Sequence, residues 1–273
     1  MIQNKQNINN VQTDKLKDIK CLFLDMDGTF YVGNQILPGS LEFLREAAKR
    51  DLEILFLTNN SSRSAEYYVE KLKNMGVKSP FLNVLTSGQA TGRYVLKNFP
   101  TQKGFLLANS IVTAEMEKIG LQIDEQNPDY VLITYDTELD YKKLDRVCHF
   151  VRAGLPYIAS HPDFNCPMEY GFAPDIGATI AYVAASTGRE PDVIIGKPHK
   201  FIIEDAISLV NQKKEHIAMV GDRLYTDIAA AIDNGLLGIL VMSGETDQKM
   251  LAKSEIKPDL VFERLIDIVG FLD

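Results

Sequence analysis

The chain has no apolar stretch long enough to span a bilayer, no excess of positive charge, and only three cysteines, none in Cys-x-x-Cys spacing. Each shortage closes off a class of protein. A transmembrane helix needs roughly 20 predominantly apolar residues in a row, so a membrane-spanning protein is not expected. The net charge of -8, from 29 basic and 37 acidic residues, argues against wide contact with nucleic acid or an anionic membrane. An anionic substrate would therefore have to be met by a local positive site. Cys21, Cys148 and Cys166 are scattered and odd in number, which reads as reduced thiols rather than disulfides or a zinc site. The first 18 residues are polar, rich in Asn and Gln, and lack the apolar core of a signal peptide, so the expected location is the cytoplasm. No internal repeat is visible, and low complexity is confined to this N-terminal tail.

What is present is an ordinary globular composition, 45% hydrophobic and 24% charged over 273 residues, with a length prior of roughly two domains. Strand-like apolar runs alternate with helical patterns, the signature of a parallel sheet covered by helices. The first unit reads as a strand over 20–25, a helix over 40–50 and a strand over 53–57, then a helix over 64–75 closed by Gly76. Leu41, Leu44 and Ala48 fall at helical spacing in the first helix, with Pro38-Gly39-Ser40 as break and cap. The middle of the chain repeats the alternation by itself: strands at 104–108, 130–135 and 157–160, and helices at 110–119, 141–153 and 175–186. A Pro- and Gly-rich loop over 161–174 precedes the last of these helices. The pattern then resumes with strands at 217–220, 238–241 and 260–262. The expected division is a core over 1–86, an inserted α/β domain over 87–193, and the rest of the core over 194–273.

Four polar clusters stand at strand ends or the turns beside them. The first is Asp25-Met26-Asp27-Gly28-Thr29, two carboxylates two positions apart after the run Ile19-Lys20-Cys21-Leu22-Phe23-Leu24. Acids this close repel unless a cation or a shared proton lies between them, and Gly28 permits a sharp turn. By itself the string is equally an Asp-Gly turn. It is not an EF-hand, because its fifth, sixth and twelfth places hold Thr29, Phe30 and Ile36. The others are Thr58-Asn59, Gly196-Lys197, and Asp222 with Asp227. Each has a structural alternative: Thr58-Asn59 as a helix cap, Lys197 as an exposed loop lysine, and Asp222 and Asp227 as an N-cap and a first-turn acid. Ligands in open parallel sheets bind beyond the carboxyl ends of the strands, so clusters far apart in sequence can converge there. Together they offer carboxylates, a hydroxyl, backbone amides and a lysine, an inventory suited to phosphoryl transfer. Oxygen-only donors with no grouped His or Cys make magnesium the natural cation.

In order and on these elements, the strings DMDGT, LTNNSS, GKP and GDRLYTD resemble the four motifs of the haloacid dehalogenase superfamily of phosphohydrolases. The insertion between the second and third motifs resembles the cap of the NagD-like branch, which includes acid sugar, para-nitrophenyl phosphate and pyridoxal phosphate phosphatases. The resemblance implies a doubly wound α/β core with an α/β cap, and Mg2+-dependent hydrolysis of a small phosphorylated metabolite. It makes Asp25 the nucleophile and Asp27 the acid and then base. Thr58, Asn59 and Lys197 would bind the phosphoryl group, and the metal would lie between Asp25, the Asp27 carbonyl oxygen and Asp222. Asp227 would support the metal or orient Lys197. The segment Ser160-His161-Pro162-Asp163-Phe164-Asn165-Cys166-Pro167 resembles the branch's specificity loop, so that His161 and Asp163 would face the leaving group; the alternative is a surface loop rich in Pro and Tyr. Tyr135 and Glu169 are further candidate substrate contacts. A homodimer through the cap is also implied as an option. Asp27 separates a phosphatase from dehalogenases, which lack aspartate there, and from the pumps, which carry threonine. A phosphomutase on the same core and a non-catalytic metabolite-binding protein are the rival readings.

Overall fold

A computed structural model describes residues 13–168 and 171–272, and the chain divides into two compact units. The first takes the residues up to Leu57, Lys71–Asn83, and Ala206 onward; the second takes Thr58–Glu70 and Val84–Asp205. The expected insertion 87–193 thus lies within a larger second unit. Named contacts explain the added segments. The Ala65 N–H donates to Glu115 Oε1 at 2.9 Å, Lys118 pairs with Glu66 at 2.6 Å, and Arg93 grips the Asp205 carboxylate with two nitrogens.

The sheet of the first unit is parallel, its strands ordered Leu260–Phe262, Leu237–Val241, Ile217–Gly221, Cys21–Leu24 and Glu53–Thr58. Every residue of Cys21–Leu24 is fully buried, as a strand covered on both faces requires. From this strand the chain builds outward in one direction through Glu53–Thr58, whereas the later strands build in the other. The winding therefore reverses between Cys21–Leu24 and Ile217–Gly221, the place where an α/β sheet opens a crevice. The register sets Leu24 opposite Val220, and the Asp25 N–H donates to the Val220 carbonyl at 2.9 Å, so both strands end level. In helix Ser40–Lys49 the buried face is Phe43, Leu44 and Ala47 rather than Leu41, Leu44 and Ala48. Gly39 is the N-cap, at φ 90°, and Ser40 lies inside the helix with its hydroxyl unbonded among the described residues.

The second unit has its own parallel sheet, ordered Val193–Ile194, Tyr157–Ala159, Tyr130–Ile133, Lys103–Leu107 and Gln122–Ile123. Phe105, Leu107, Val131 and Ile133 form a buried cluster with Val147, Val151, Ile180 and Val183 from helices Tyr141–Arg152 and Ile176–Thr187. Two elements escape the sequence pattern. Helix Ser87–Asn98 contains Gly88 and Gly92, poor helix formers. A Cβ on Gly92 would lie 3.1 Å from Met116 Sδ and 3.2 Å from Ile119 Cδ1, so the glycine admits close packing on helix Ser110–Ile119. The expected loop 161–174 contains an antiparallel hairpin, Asn165–Met168 with Gly171–Pro174. Its residues are mostly exposed and include Pro167, so no alternation marks it. Glu169 lies outside the described residues.

Among the described residues, no disulfide forms and no helix is long and apolar enough to cross a membrane. Burial pushes the Cys21 thiol up to about 12, which makes it inert.

Glu115 carries a pH prediction. Burial holds its carboxyl above the usual carboxylate range, with the Ala65 N–H pulling the other way. An acid whose folded pKa is raised favours the folded state most when protonated. Its contribution is present below the unfolded value and is lost as pH rises through the folded one. Urea unfolding of Glu115→Gln against the parent, from pH 4 to 8, is expected to show stability shifting in favour of the variant as pH rises. A constant difference would refute the assignment.

Candidate active site

The Ile19-to-Leu24 run ends by delivering Asp25 to the carboxyl edge, and Ile217–Gly221 delivers Asp222 beside it. Asp25, Asp222 and Asp227 each bring a carboxylate oxygen within 4.8 Å of the other two. The turn after Asp25 is tight: the Met26 carbonyl accepts from the N–H groups of Phe30 and Tyr31 at 2.9 and 3.1 Å. Gly28 sits there at φ 86°, and a Cβ on it would run into the Asp222 carboxylate, as would one on Gly244. The glycine of the Asp-Gly string thus serves the turn and makes room for an acid 194 positions later.

Asp222 is held in place by the Thr29 hydroxyl on Oδ1 at 3.2 Å and the Glu245 N–H on Oδ2 at 2.7 Å. It is not a helix cap. Asp227, on the π-helical turn Leu224–Ile228, accepts from the Arg223 N–H at 3.1 Å, and a Cβ on Gly221 would overlap its side chain. Burial and then the neighbouring Asp227 push the Asp222 carboxyl up to about 6. Three clustered carboxylates, all donating oxygen, with Asp222 resisting ionisation beside Asp227, suit a hard divalent cation, whose charge relieves this repulsion. The residues present therefore fit magnesium.

Asp27 is set differently. Its carboxyl is held above the usual range by burial, against the pull of Lys71 and Arg223 and of hydrogen bonds from Gly33 and Tyr31. The Lys71 ammonium also lies 3.8 Å from the centre of the Tyr31 ring. Sequence reading missed Lys71, Arg223 and Thr29, because their relation to the acids exists only after folding.

The remaining expected residues form a second cluster, in the second unit. Lys197 is 2% exposed, not a loop lysine in solvent. Its N–H donates to Asn59 Oδ1 at 2.8 Å and its carbonyl accepts from Asn59 Nδ2 at 2.9 Å, so one amide side chain clasps the Lys197 backbone. Asn59 Nδ2 also lies 3.2 Å from Asp163 Oδ2. Thr58 Oγ1 accepts from the Asn60 N–H at 3.1 Å, while Ser64 Oγ receives the Tyr67 N–H of the next helix. Thr58 and Asn59 are therefore not its caps. A Cβ on Gly196 would come within 2.6 Å of His161 Cβ and 2.7 Å of Asn59 Oδ1, which only glycine avoids. His161 is fully buried, with both ring nitrogens in hydrogen bonds, and Asp175 caps helix Ile176–Thr187. Tyr135 packs against the core of the unit.

Comparison with known proteins gives the family. A family model for haloacid dehalogenase-like hydrolases matches residues 22–122, and a second, HAD-hydrolase-like, matches 194–268. An acid sugar phosphatase of Staphylococcus saprophyticus is 31% identical across 94% of this chain and 100% of its own. The crystal structure of a 4-nitrophenylphosphatase from Thermotoga maritima superimposes with a TM-score of 0.91 at 44% identity, covering 95% of this chain and 99% of that one. That of a glycerol phosphate phosphatase from Mycobacterium tuberculosis in complex with calcium gives 0.85 at 27% identity, covering 93% and 76%. The chain belongs to the haloacid dehalogenase-like hydrolases, as an enzyme of their phosphatase class.

Gly28→Ala is expected to weaken Mg2+ binding at least about tenfold by displacing Asp222, as loss of ligand-orienting contacts does elsewhere. Gly154→Ala is the control: its φ of 89° brings the same strain, but nothing lies within 4 Å. Calorimetric titration of both with Mg2+ checks this, and equal affinities would refute it.

Proposed function

We propose that this chain is a magnesium-dependent phosphomonoesterase that acts on a small phosphorylated metabolite through an aspartyl-phosphate on Asp25. The observation that carries the reading is the grouping of Asp25 with Asp222 and Asp227 at the reversal point of the sheet, two residues before an acid whose carboxyl resists ionisation. The names of its relatives, an acid sugar phosphatase and a 4-nitrophenylphosphatase, support the substrate class.

Asp25 attacks phosphorus in line with the ester oxygen. As the new Asp25 oxygen–phosphorus bond forms, the bond to the ester oxygen breaks and Asp27 passes its proton to the departing alkoxide. The Asp27 carboxylate then takes a proton from water, whose oxygen attacks phosphorus. The Asp25–phosphorus bond breaks, releasing inorganic phosphate and restoring both acids. A raised carboxyl pKa keeps the proton available for the first half of this cycle. By the family resemblance, Thr58 and the Asn59 backbone would bind the phosphoryl oxygens and Lys197 would offset their charge. Mg2+, held by the Asp25 carboxylate, the Asp27 carbonyl oxygen and Asp222, with Asp227 in support, would supply positive charge to the phosphoryl oxygens.

Asp25→Asn is expected to abolish release of inorganic phosphate from para-nitrophenyl phosphate, and EDTA to stop it until magnesium is restored. Retained turnover in either case would overturn the corresponding assignment. An isomeric phosphate ester in place of inorganic phosphate would make the enzyme a mutase.

Asp27→Asn separates the proton donor from the nucleophile. Because kcat/KM reports only the steps through leaving-group departure, the variant is expected to lose about 10²–10⁴-fold on an alkyl phosphate. The loss should be much smaller on para-nitrophenyl phosphate, whose leaving group departs without a proton. Equal losses on the two substrates would remove Asp27 from the acid role.

A further inference from the structure

His161 is a histidine with no exposed surface in a segment expected to meet the substrate, and its hydrogen bonds explain why. Nε2 lies 3.1 Å from Asp175 Oδ1, and the same oxygen accepts the Ile176 N–H at 2.6 Å. A carboxylate only accepts, so Nε2 carries a proton. On the other side, Nδ1 lies 3.1 Å from Ser160 Oγ, 3.3 Å from Ser61 Oγ and 3.4 Å from Ser87 Oγ. The Ser87 hydroxyl proton is committed to the Asn59 carbonyl. Ser61 Oγ receives the Tyr135 N–H at 2.9 Å and lies 2.8 Å from Ser160 Oγ. With Nε2–H given to Asp175 and the Tyr135 N–H to Ser61, the Ser61 and Ser160 hydroxyls share a hydrogen bond and one of them donates to Nδ1, which satisfies every group in either direction.

Ser87 Oγ packs 3.4 Å from Nδ1 with its own proton on the Asn59 carbonyl, so the ring meets the residues assigned to the phosphoryl group through contact with this hydroxyl. Asn59 is gripped at its carbonyl by Ser87 and clasps the Lys197 backbone with its side chain. The loop around His161 is anchored in turn, because the Gly177 N–H donates to the Asp163 carbonyl at 2.8 Å and the Asp175 N–H to that of Phe164 at 2.9 Å. A Cβ on Gly177 would meet the Pro162 carbonyl oxygen at 2.5 Å, so loop and helix start fit without slack.

We propose that His161, held by Asp175, is a positioning residue for Asn59 and Lys197, acting through the serine hydroxyls packed around its ring. It touches no substrate and instead fixes where the amide clasp stands. This rests on the phosphatase reading for its catalytic consequence, though not for its structural one.

The test uses the full chain as His161→Leu, which removes both ring contacts, and His161→Asn, which keeps an acceptor near the Nδ1 position. On para-nitrophenyl phosphate, His161→Leu is expected to lower kcat/KM by about 10–100-fold, the usual scale for loss of a group that orients a site residue. Inhibition by inorganic phosphate should weaken in parallel while the magnesium concentration for half activation stays unchanged, and His161→Asn should recover part of the loss. In an Asn59→Ala background His161→Leu should cost little more, since the residue it positions is gone. Parental kcat/KM and phosphate inhibition in His161→Leu, or full additivity with Asn59→Ala, would overturn the proposal. Hydrogen exchange provides a readout independent of turnover. The Lys197 and Tyr135 amides should exchange faster in the His161 variants, with strand Cys21–Leu24 unchanged. An inactive parent with this exchange result would refute the phosphatase reading and leave the positioning role standing. Unchanged exchange would refute the role. Should His161→Leu fail to fold, Ser87→Ala, which removes the hydroxyl between the ring and the Asn59 carbonyl, is measured in its place with the same expectations.

Discussion

Repulsion among Asp25, Asp222 and Asp227 is the constraint to which the rest of the first unit answers. Three carboxylates within 4.8 Å are unfavourable in a buried setting unless a cation joins them, and everything around them serves to keep them there. Two parallel strands end level, the Thr29 hydroxyl and the Glu245 amide orient Asp222, and glycines at 28, 221 and 244 leave the space a side chain would fill. An arrangement that is costly without metal and relieved by it couples metal binding to the order of the site.

The second unit solves a related problem with hydrogen bonds. Its polar cluster joins an amide, several hydroxyls and a histidine to the carboxylates of Asp163 and Asp175, and its donors meet acceptors throughout. Fully satisfied networks of this kind are rigid, because any displacement leaves a buried donor or acceptor without its partner. Lys197 gains from this directly. A buried ammonium on a flexible stem is useful only if its backbone is fixed, and the Asn59 amide fixes it from both the N–H and the carbonyl.

Local patterns made much of this legible. The fully buried run Cys21–Leu24 announced a central parallel strand, and the alternation of strands and helices announced an α/β fold. Asp25, Asp222 and Asp227 stood in recognisable strings, and the structure brings their carboxylates together. Other features left no such trace. Helix Ser87–Asn98 contains two glycines that lower helix propensity, of which Gly92 admits the close approach of Met116 and Ile119. Strands Asn165–Met168 and Gly171–Pro174 are mostly exposed and the first contains Pro167, so neither periodicity nor propensity marks them. The buried face of helix Ser40–Lys49 was displaced from the expected stripe, since spacing alone leaves the rotation of a helix open.

By itself, the order of residues determined the alternating architecture, the identity of the acids and the lysine, and the family to which the chain belongs, because these depend on short strings and local periodicity. Tertiary structure alone decided which groups act on one another. That Gly28 makes room for Asp222, that Lys71 and Arg223 oppose the effect of burial on Asp27, and that His161 turns inward to Asp175 are relations between segments distant in the chain. Electrostatic and hydrogen-bond energies depend on distances of a few ångströms, which a linear pattern does not contain. The segment that looked most like a substrate-facing loop thus contributes, through His161, a buried strut.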